Sequence, residues 1–371
     1  MVDLPSIICF RLSCSKDACE PVKSLVRLEF TNLNIAVPGR ICVVLEDDVS
    51  FPLFGKIRIN PVFTRGKKRF HPGSIQVVFQ NYAAGLNFEI VAVSDIWKRR
   101  REEGVEFLQK LTGQKITGMR NNEELYESGM VDAVIISTAD FQHALHCIQA
   151  VEAGNDAYVE KPFANRLKDA RAALKAVSTS GKIVQIGTQR RSAQNYIQAN
   201  NFIRSGRFGD IVTVEMTWNV NQPGRWRRPR LVEALRKEDV DWKRYLMNRP
   251  YEVWNPRKYI EYRLFWPYSS GIPCQWMVHQ IDTVHWFTDL PRPRSVVVNG
   301  GLYLWKDGRK TWDTLTAVFD YGSLRDKSKG FQVVYSSRQT NSAGSVKELY
   351  FSNGGMLNLA TNRITPEGGL T

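Results

Sequence analysis

From residue 88 onward the chain alternates between two hydrophobic periods. "FEIVAVSD" (88–95) is an apolar run ending in an acid, and "WKRRREEGVEFLQKLTG" (97–113) after it is a polar helical stretch that Gly113 stops. "VDAVIIST" (131–138) repeats the apolar run. Asp140 is placed to cap the helix behind it, in which Phe141, Ala144, Leu145, Ile148 and Val151 recur at helical spacing before Gly154. "DAYVEKP" (156–162) predicts a strand, and Leu167, Ala170, Leu174 and Val177 the stripe of the next helix. "KIVQIG" (182–187) predicts another strand, with a helix near 193–205 ending at Gly206. Strands that are apolar throughout, separated by amphipathic helices, imply a parallel sheet covered on both faces.

In such sheets ligands bind beyond the carboxyl ends of the strands. Asp95, Thr138, Glu160, Lys161 and Gln189 all lie at or just after those ends, which marks them as one candidate site. After about residue 207 the pattern changes. "IVTVEMTWN", "RSVVVNGGLYLW", "DTLTAVFDY", "FQVVYSSRQ" and "VKELYFSN" have strand character, with helical segments near 239–247 and 276–288. Many strands and few helices predict a second domain on a mainly antiparallel sheet. "SLVRLEF" and "RICVVLEDD", within residues 1–55, have strand character but no evident partner.

Composition narrows the class. The chain has 371 residues, of which 43% are hydrophobic, as expected of a folded two-domain protein. No apolar run reaches the roughly 20 residues of a membrane span, and the N-terminus lacks a basic leader with a clean apolar core, so a cytoplasmic protein is expected. The six cysteines are scattered, which argues against a disulfide framework. The net charge of +14 raises nucleic acid as a partner, but the basic clusters are short and dispersed and match no nucleic-acid motif, so neither nucleic acid nor membrane is expected. His279, Asp282 and His285 stand at steps of three, drifting about 120° around a helix, and His143 and His146 have no third ligand, so no metal is expected.

One succession of motifs is more specific than any single motif. "VDAVIISTADFQHALHCIQAVEAGNDAYVEKPFANRL", "IVQIGTQRRS", "IRSGRFGDI", "GRWRRP" and "WMVHQIDTVHWF" follow one another in order over residues 88–360. This succession resembles the Gfo/Idh/MocA family of nicotinamide-dependent oxidoreductases, named for glucose-fructose oxidoreductase and inositol dehydrogenase. The resemblance implies an α/β fold: an N-terminal Rossmann-like parallel sheet, then an α+β domain with a large, mainly antiparallel open-faced sheet. The expected boundaries are an atypical extension over 1–55, a dinucleotide-binding domain over 56–190, and a substrate and oligomerisation domain over 191–371. It implies NAD or NADP as cofactor, a sugar, cyclitol or related polyol as substrate, and a homo-oligomer built through the C-terminal sheet.

The resemblance also assigns roles. Lys161 becomes the acid/base: an amine in a crevice beside a cationic nicotinamide has its charged form disfavoured, so it can exchange a proton with the reacting hydroxyl. Pro162 keeps Lys161 out of helical geometry, and Glu160 orients the lysine or contacts cofactor. His279 is a catalytic or substrate-binding histidine, although the carboxylate the family often has four residues earlier is here Gln275. Asp282 is a candidate substrate contact. Thr138, His143, Gln189, Trp226 and Arg227 match positions lining cofactor or active site. Asp95 can accept hydrogen bonds from an adenosine ribose, which favours NAD, while Lys98 and Arg99 leave a 2′-phosphate possible.

The pattern departs from the family before residue 88. "KIRINPVFTRGKKRFHPGSIQVVFQNYAAGLNFEIV" has the length for strand, loop, helix and strand but contains no G-x-G-x-x-G. A noncatalytic relative that has lost dinucleotide binding is therefore the alternative. The stretch reads first as a surface loop with no ligand role; a substitute anion site, made by amides near Gly73 and Ser74 with Lys67 and Lys68, is the alternative.

Overall fold

The computed structural model describes residues 7–12, 88–326 and 328–367, with the backbone alone for 7–12. The Gly73–Ser74 and Lys67–Lys68 expectation lies outside the described residues, as do "SLVRLEF" and "RICVVLEDD". The chain divides into two compact units, the first holding residues up to Gln189 together with Pro229–Ile260, the second holding Arg190–Arg228 and everything from Glu261.

The first unit is built on six strands: β1 (Ile7–Leu12), β2 (Phe88–Ser94), β3 (Thr117–Met119), β4 (Ala133–Ile136), β5 (Asp156–Val159) and β6 (Val184–Ile186). Their order is β3-β2-β1-β4-β5-β6. β2 with β3, and β4 with β5 and β6, run parallel as the apolar runs predict. The centre differs from the expected parallel sheet. β1 runs antiparallel to both β2 and β4, with Ile8 opposite Val93 and Cys9 opposite Val134. A segment assigned by its pattern to an N-terminal extension is thus the central strand.

Helices α1 (Lys98–Thr112), α2 (Asn122–Glu127), α3 (His143–Glu152) and α4 (Leu167–Ser180) alternate with the strands. Gly113 closes α1 at φ 70°, the left-handed conformation that glycine adopts without a Cβ penalty. α3 lays Cys147 and Ala150 on Val134, Ile136, Ala157 and Val159, giving the sheet its apolar core. Asp140 does not cap α3; the N-cap is Gln142, whose side-chain oxygen accepts from the Ala139 N–H at 3.1 Å. α4 also departs from its predicted stripe. Leu167 and Leu174 are two-thirds exposed, while Asp169 and Ala173 are buried. The reason is an ion pair: the fully buried Arg249 guanidinium donates to Asp169 at 3.1 Å, and Asn248 joins it at 2.8 Å.

Arg249 belongs to Pro229–Ile260, which the sequence reading assigned to the second domain. Its short helices α6 (Pro229–Ala234), α7 (Trp242–Leu246) and α8 (Pro256–Ile260) pack aromatic rings against the strand ends of the first unit. Tyr245 meets Phe141 edge-on at 5.3 Å, Tyr259 meets Trp97 at 6.1 Å, and Leu235 and Val240 pack on Trp97.

The second unit is a seven-stranded sheet with α5 (Gln194–Arg204) and α9 (Val278–Thr288). Its strands are β7 (Ile211–Asn219), β8 (Ser295–Gly301), β9 (Thr314–Tyr321), β10 (Phe331–Arg338), β11 (Val346–Ser352), β12 (Gly355–Asn358) and β13 (Arg363–Pro366). The order is β13-β12-β11-β7-β10-β9-β8, antiparallel except for β7 with β10. Alternation separates the faces: Leu315, Ala317, Phe319 and Tyr321 of β9, with Phe331, Val333 and Tyr335 of β10, point into the core. No helix among the described residues is long and apolar enough to cross a membrane.

Candidate active site

The first unit gathers the strand-end residues. After Val159, the Glu160 N–H still bonds the Ile136 carbonyl at 2.8 Å, so the carboxylate turns inward and is only 2% exposed. It accepts from the Lys161 N–H at 3.1 Å and from the Tyr158 hydroxyl at 3.4 Å. Gly187, just past β6, makes room for this pair: a Cβ there would lie 2.7 Å from the Tyr158 oxygen and 3.2 Å from Glu160 Oε1. Burial pushes the Glu160 carboxyl up to about 7, against the charge and N–H of Lys161 and the Tyr158 hydroxyl, which favour the anion. Lys161 is partly buried and enters the turn at Pro162 through a cis peptide bond.

Three buried polar atoms at neighbouring strand ends lack a partner among the described residues: the Ser137 and Thr138 hydroxyls after β4, and Gln189 Oε1 after β6. Buried groups of this kind are ordinarily satisfied. Hydroxyls can be completed by donors or acceptors, and an amide oxygen by a hydroxyl or amide N–H, groups that a dinucleotide's ribose and carboxamide supply. Asp95, after β2, is 3% exposed and accepts from the Trp97 N–H at 2.7 Å. Lys98 and Arg99, the pair available for a 2′-phosphate, are paired within α1 to Glu102 at 3.8 Å and Glu103 at 2.7 Å.

His143 sits differently from the other residues matched to a cofactor lining. It is 1% exposed, with Nδ1 2.8 Å from the Pro162 carbonyl oxygen and Nε2 2.7 Å from that of Thr138. Both ring nitrogens are engaged by backbone, so neither is open to a cofactor.

The second unit holds Trp226, Arg227, His279 and Asp282. A π-helical turn, Pro273–Met277, leads into α9. The inner side of α9 packs on the sheet: Gln280 donates to the Lys347 carbonyl at 2.7 Å, and Thr283 meets Tyr350 at 3.0 Å and the Glu348 carboxylate. His279 and Asp282 lie on the other side, as their spacing predicts. The His279 ring stacks on Trp218 at 5.6 Å and 26°, and Trp276 stacks on the same indole at 6.1 Å. Gln275 donates no acid to His279; its oxygen instead accepts from Arg263 Nε at 3.1 Å. Asp282 is gripped by Arg191 through two bonds of 2.8 Å, a bidentate pair that anchors the helix.

Trp226 is 3% exposed at φ 64°, its ring 5.7 Å from Trp276, and its indole N–H has no partner among the described residues. Arg227 donates to the buried Glu261 at 2.9 Å and lies 3.7 Å from Asp307. His285 is engaged at both nitrogens, by the Leu290 carbonyl at 2.6 Å and the Tyr321 hydroxyl at 3.2 Å. Among the described residues no group of three or more His, Cys, Asp or Glu side chains is arranged to hold a metal.

Residues 70–188 match the model of the oxidoreductase family with an NAD-binding Rossmann fold. The matched segment, under half of the chain, is similar to the Gfo/Idh/MocA oxidoreductase family. It is 27% identical over 175 residues to inositol 2-dehydrogenase of Salmonella typhimurium, covering 46% of this chain and 51% of that protein. It is 37% identical over 86 residues to scyllo-inositol 2-dehydrogenase (NAD(+)) of Bacillus subtilis, covering 23% of this chain and 25% of that one. The chain thus spans about half the length, or less, of these curated relatives. In structure it is similar to the WlbA dehydrogenase of Bordetella pertussis, solved with NADH and UDP-GlcNAcA, at a TM-score of 0.58 and 19% identity. That match covers 79% of this chain and 78% of the other. At that identity the likeness carries the Gfo/Idh/MocA fold alone.

Sequence reasoning missed Trp218, Arg190 and Glu348. The Arg190 guanidinium lies over the Trp218 ring at 5.5 Å and pairs with Glu348, which is 2% exposed and also accepts from Tyr196 at 3.2 Å. The signal was present in "VKELYFS", where period-two alternation puts Glu348 on the face of Val346 and Tyr350.

Proposed function

We propose that this protein is an NAD(P)-dependent oxidoreductase acting on the CH–OH group of a sugar, cyclitol or related polyol, with Lys161 as acid/base. One observation carries this: Lys161 follows a buried carboxylate at the end of β5, and the neighbouring ends of β4 and β6 present buried hydroxyls and an amide oxygen without partners among the described residues. Thr138, Glu160 and Gln189 would hold the nicotinamide end, and Asp95 the adenosine ribose. NAD is favoured over NADP, because Asp95 is an acceptor and the cations beside it are already paired. When bound, the cofactor exchanges a hydride at nicotinamide C4 with the substrate's carbinol carbon. Lys161 Nζ accepts the hydroxyl proton in oxidation and returns it in reduction. Glu160, tethered to the Lys161 N–H, holds the base of that side chain. Within the second unit, His279, its plane set by Trp218, is the candidate substrate ligand or proton relay, with Trp226 and Arg227 as candidate contacts. With Arg191 holding both its oxygens, Asp282 acts mainly by fixing α9.

The inositol 2-dehydrogenases among the relatives support a polyol as the class of substrate. The outward face of the second unit's sheet, with Val297 and Ile364 exposed, supports a homo-oligomer. Titration with NADH and NADPH, read by energy transfer from tryptophan, tests the proposal. Saturable binding of NADH is expected, and failure to bind either dinucleotide overturns it. The absence of G-x-G-x-x-G from the chain favours a second reading, a relative that binds carbohydrate without dinucleotide. Carbohydrate binding with no response to either dinucleotide is the outcome that selects it.

A further inference from the structure

His143 presents a problem in donors and acceptors. A neutral imidazole carries one N–H, yet its two nitrogens lie 2.8 Å and 2.7 Å from carbonyl oxygens, which only accept. Both contacts are satisfied together only by the imidazolium. Burial, the largest influence, and the charge of Lys161 lower the His143 pKa below the ordinary imidazole value, against Asp140, 1% exposed, and the two carbonyls, which favour the charge. The two carbonyls belong to different crossovers of the sheet, Thr138 after β4 and Pro162 immediately after Lys161.

We infer that His143 is a positioning residue for Lys161: by bridging the Thr138 and Pro162 carbonyls it locks the turn that carries the amine to the loop after β4. Its catalytic consequence rests on the proposed role of Lys161, while the bridge itself does not. The geometry explains why a histidine opens α3. Its side chain reaches a carbonyl on each flank, which an amide side chain with its single nitrogen spans less well. Released from the bridge, Pro162 and the preceding lysine are free to shift against Thr138.

Competitive acylation of lysines by acetic anhydride, quantified by mass spectrometry from pH 6 to pH 10, tests this on wild type, His143→Ala and His143→Gln without requiring turnover. Lys161 should change its acylation rate at least threefold at pH 8 in the alanine variant and less in the glutamine variant. Lys175, exposed on α4, should not change. Curves for Lys161 that superimpose on wild type in both folded variants overturn the inference. Nitrogen-15 spectra of the wild-type histidines decide the matter should a variant fail to fold: a His143 ring held in one state with a hydrogen-bonded N–H is expected, and a ring averaging between tautomers contradicts the bridge. If wild type turns over a polyol, kcat should fall at least tenfold in His143→Ala with KM for the dinucleotide within about threefold. A wild type without turnover removes the proposed function and leaves the acylation result standing.

Discussion

The two units differ in what their polar groups do at the candidate positions. In the first, the Ser137 and Thr138 hydroxyls and the Gln189 oxygen at the strand ends have no partner among the described residues, and Glu160 is buried with a tyrosine and a backbone N–H as its contacts, although Arg249 and Asp169 form a buried ion pair elsewhere in the unit. In the second, charge meets charge: Arg190 with Glu348, Arg191 with Asp282, Arg227 with Glu261, and Arg309 with Asp307. Its unpartnered atoms are mostly neutral, such as the Trp226 indole N–H. Groups already satisfied hold a shape, whereas unsatisfied ones await a ligand. The proposed proton transfer is placed at the strand ends of the first unit, while the second unit stacks His279 on Trp218 within a scaffold braced by ion pairs.

Breaking the first unit at its centre should have the largest effect. Lys161→Ala is expected to lower kcat roughly a hundred- to ten-thousand-fold while NADH affinity stays within about threefold. Steady-state rates and a binding titration check both halves, and unchanged turnover would assign the proton elsewhere. In the second unit the equivalent cut is structural. Glu348→Ala leaves the partly buried Arg190 guanidinium without its counter-charge and should cost up to about 3 kcal/mol in denaturant unfolding.

Glu160 sharpens the contrast through pH. Its folded pKa, about 7, lies above the ordinary carboxylate value, so the native state holds a proton that the unfolded state releases. Its contribution to stability is full below the unfolded value and lost as pH rises through about 7. Glu160→Gln should flatten that part of the stability profile by on the order of 3 kcal/mol. A profile unchanged by the substitution would mean that the carboxyl is not desolvated. The smallest effect is expected at Asp282→Asn, where the partly exposed Arg191 pair should contribute under about 1 kcal/mol.

Much of this contrast is written in local pattern. The runs ending at Asp95, Thr138 and Lys161 form the expected strands, because an apolar run between helical stripes leaves the chain few other ways to bury itself. The alternation in "DTLTAVFDY" and "FQVVYSSRQ" likewise gives the inner face of the second sheet. What depends on a distant partner was not legible. Nothing near Asp169 announces Arg249, so Leu167 and Leu174 looked like the buried stripe of α4. Nothing in Pro229–Ile260 announces that its rings seat on Trp97 and Phe141. The direction of β1 is a choice between two pairings that one apolar strand satisfies equally well. At the site, Lys161 was visible through its motif, whereas the bridge made by His143 exists only once Thr138 and Pro162 meet.

The most direct test of the central claim is label transfer from nicotinamide-deuterated NADH to ketoses and inososes, read by mass spectrometry of the product alcohols. Deuterium on the carbinol carbon, lost when Lys161 is replaced by alanine, is the predicted result. A protein that binds NADH yet transfers no deuterium to any such carbonyl would contradict it.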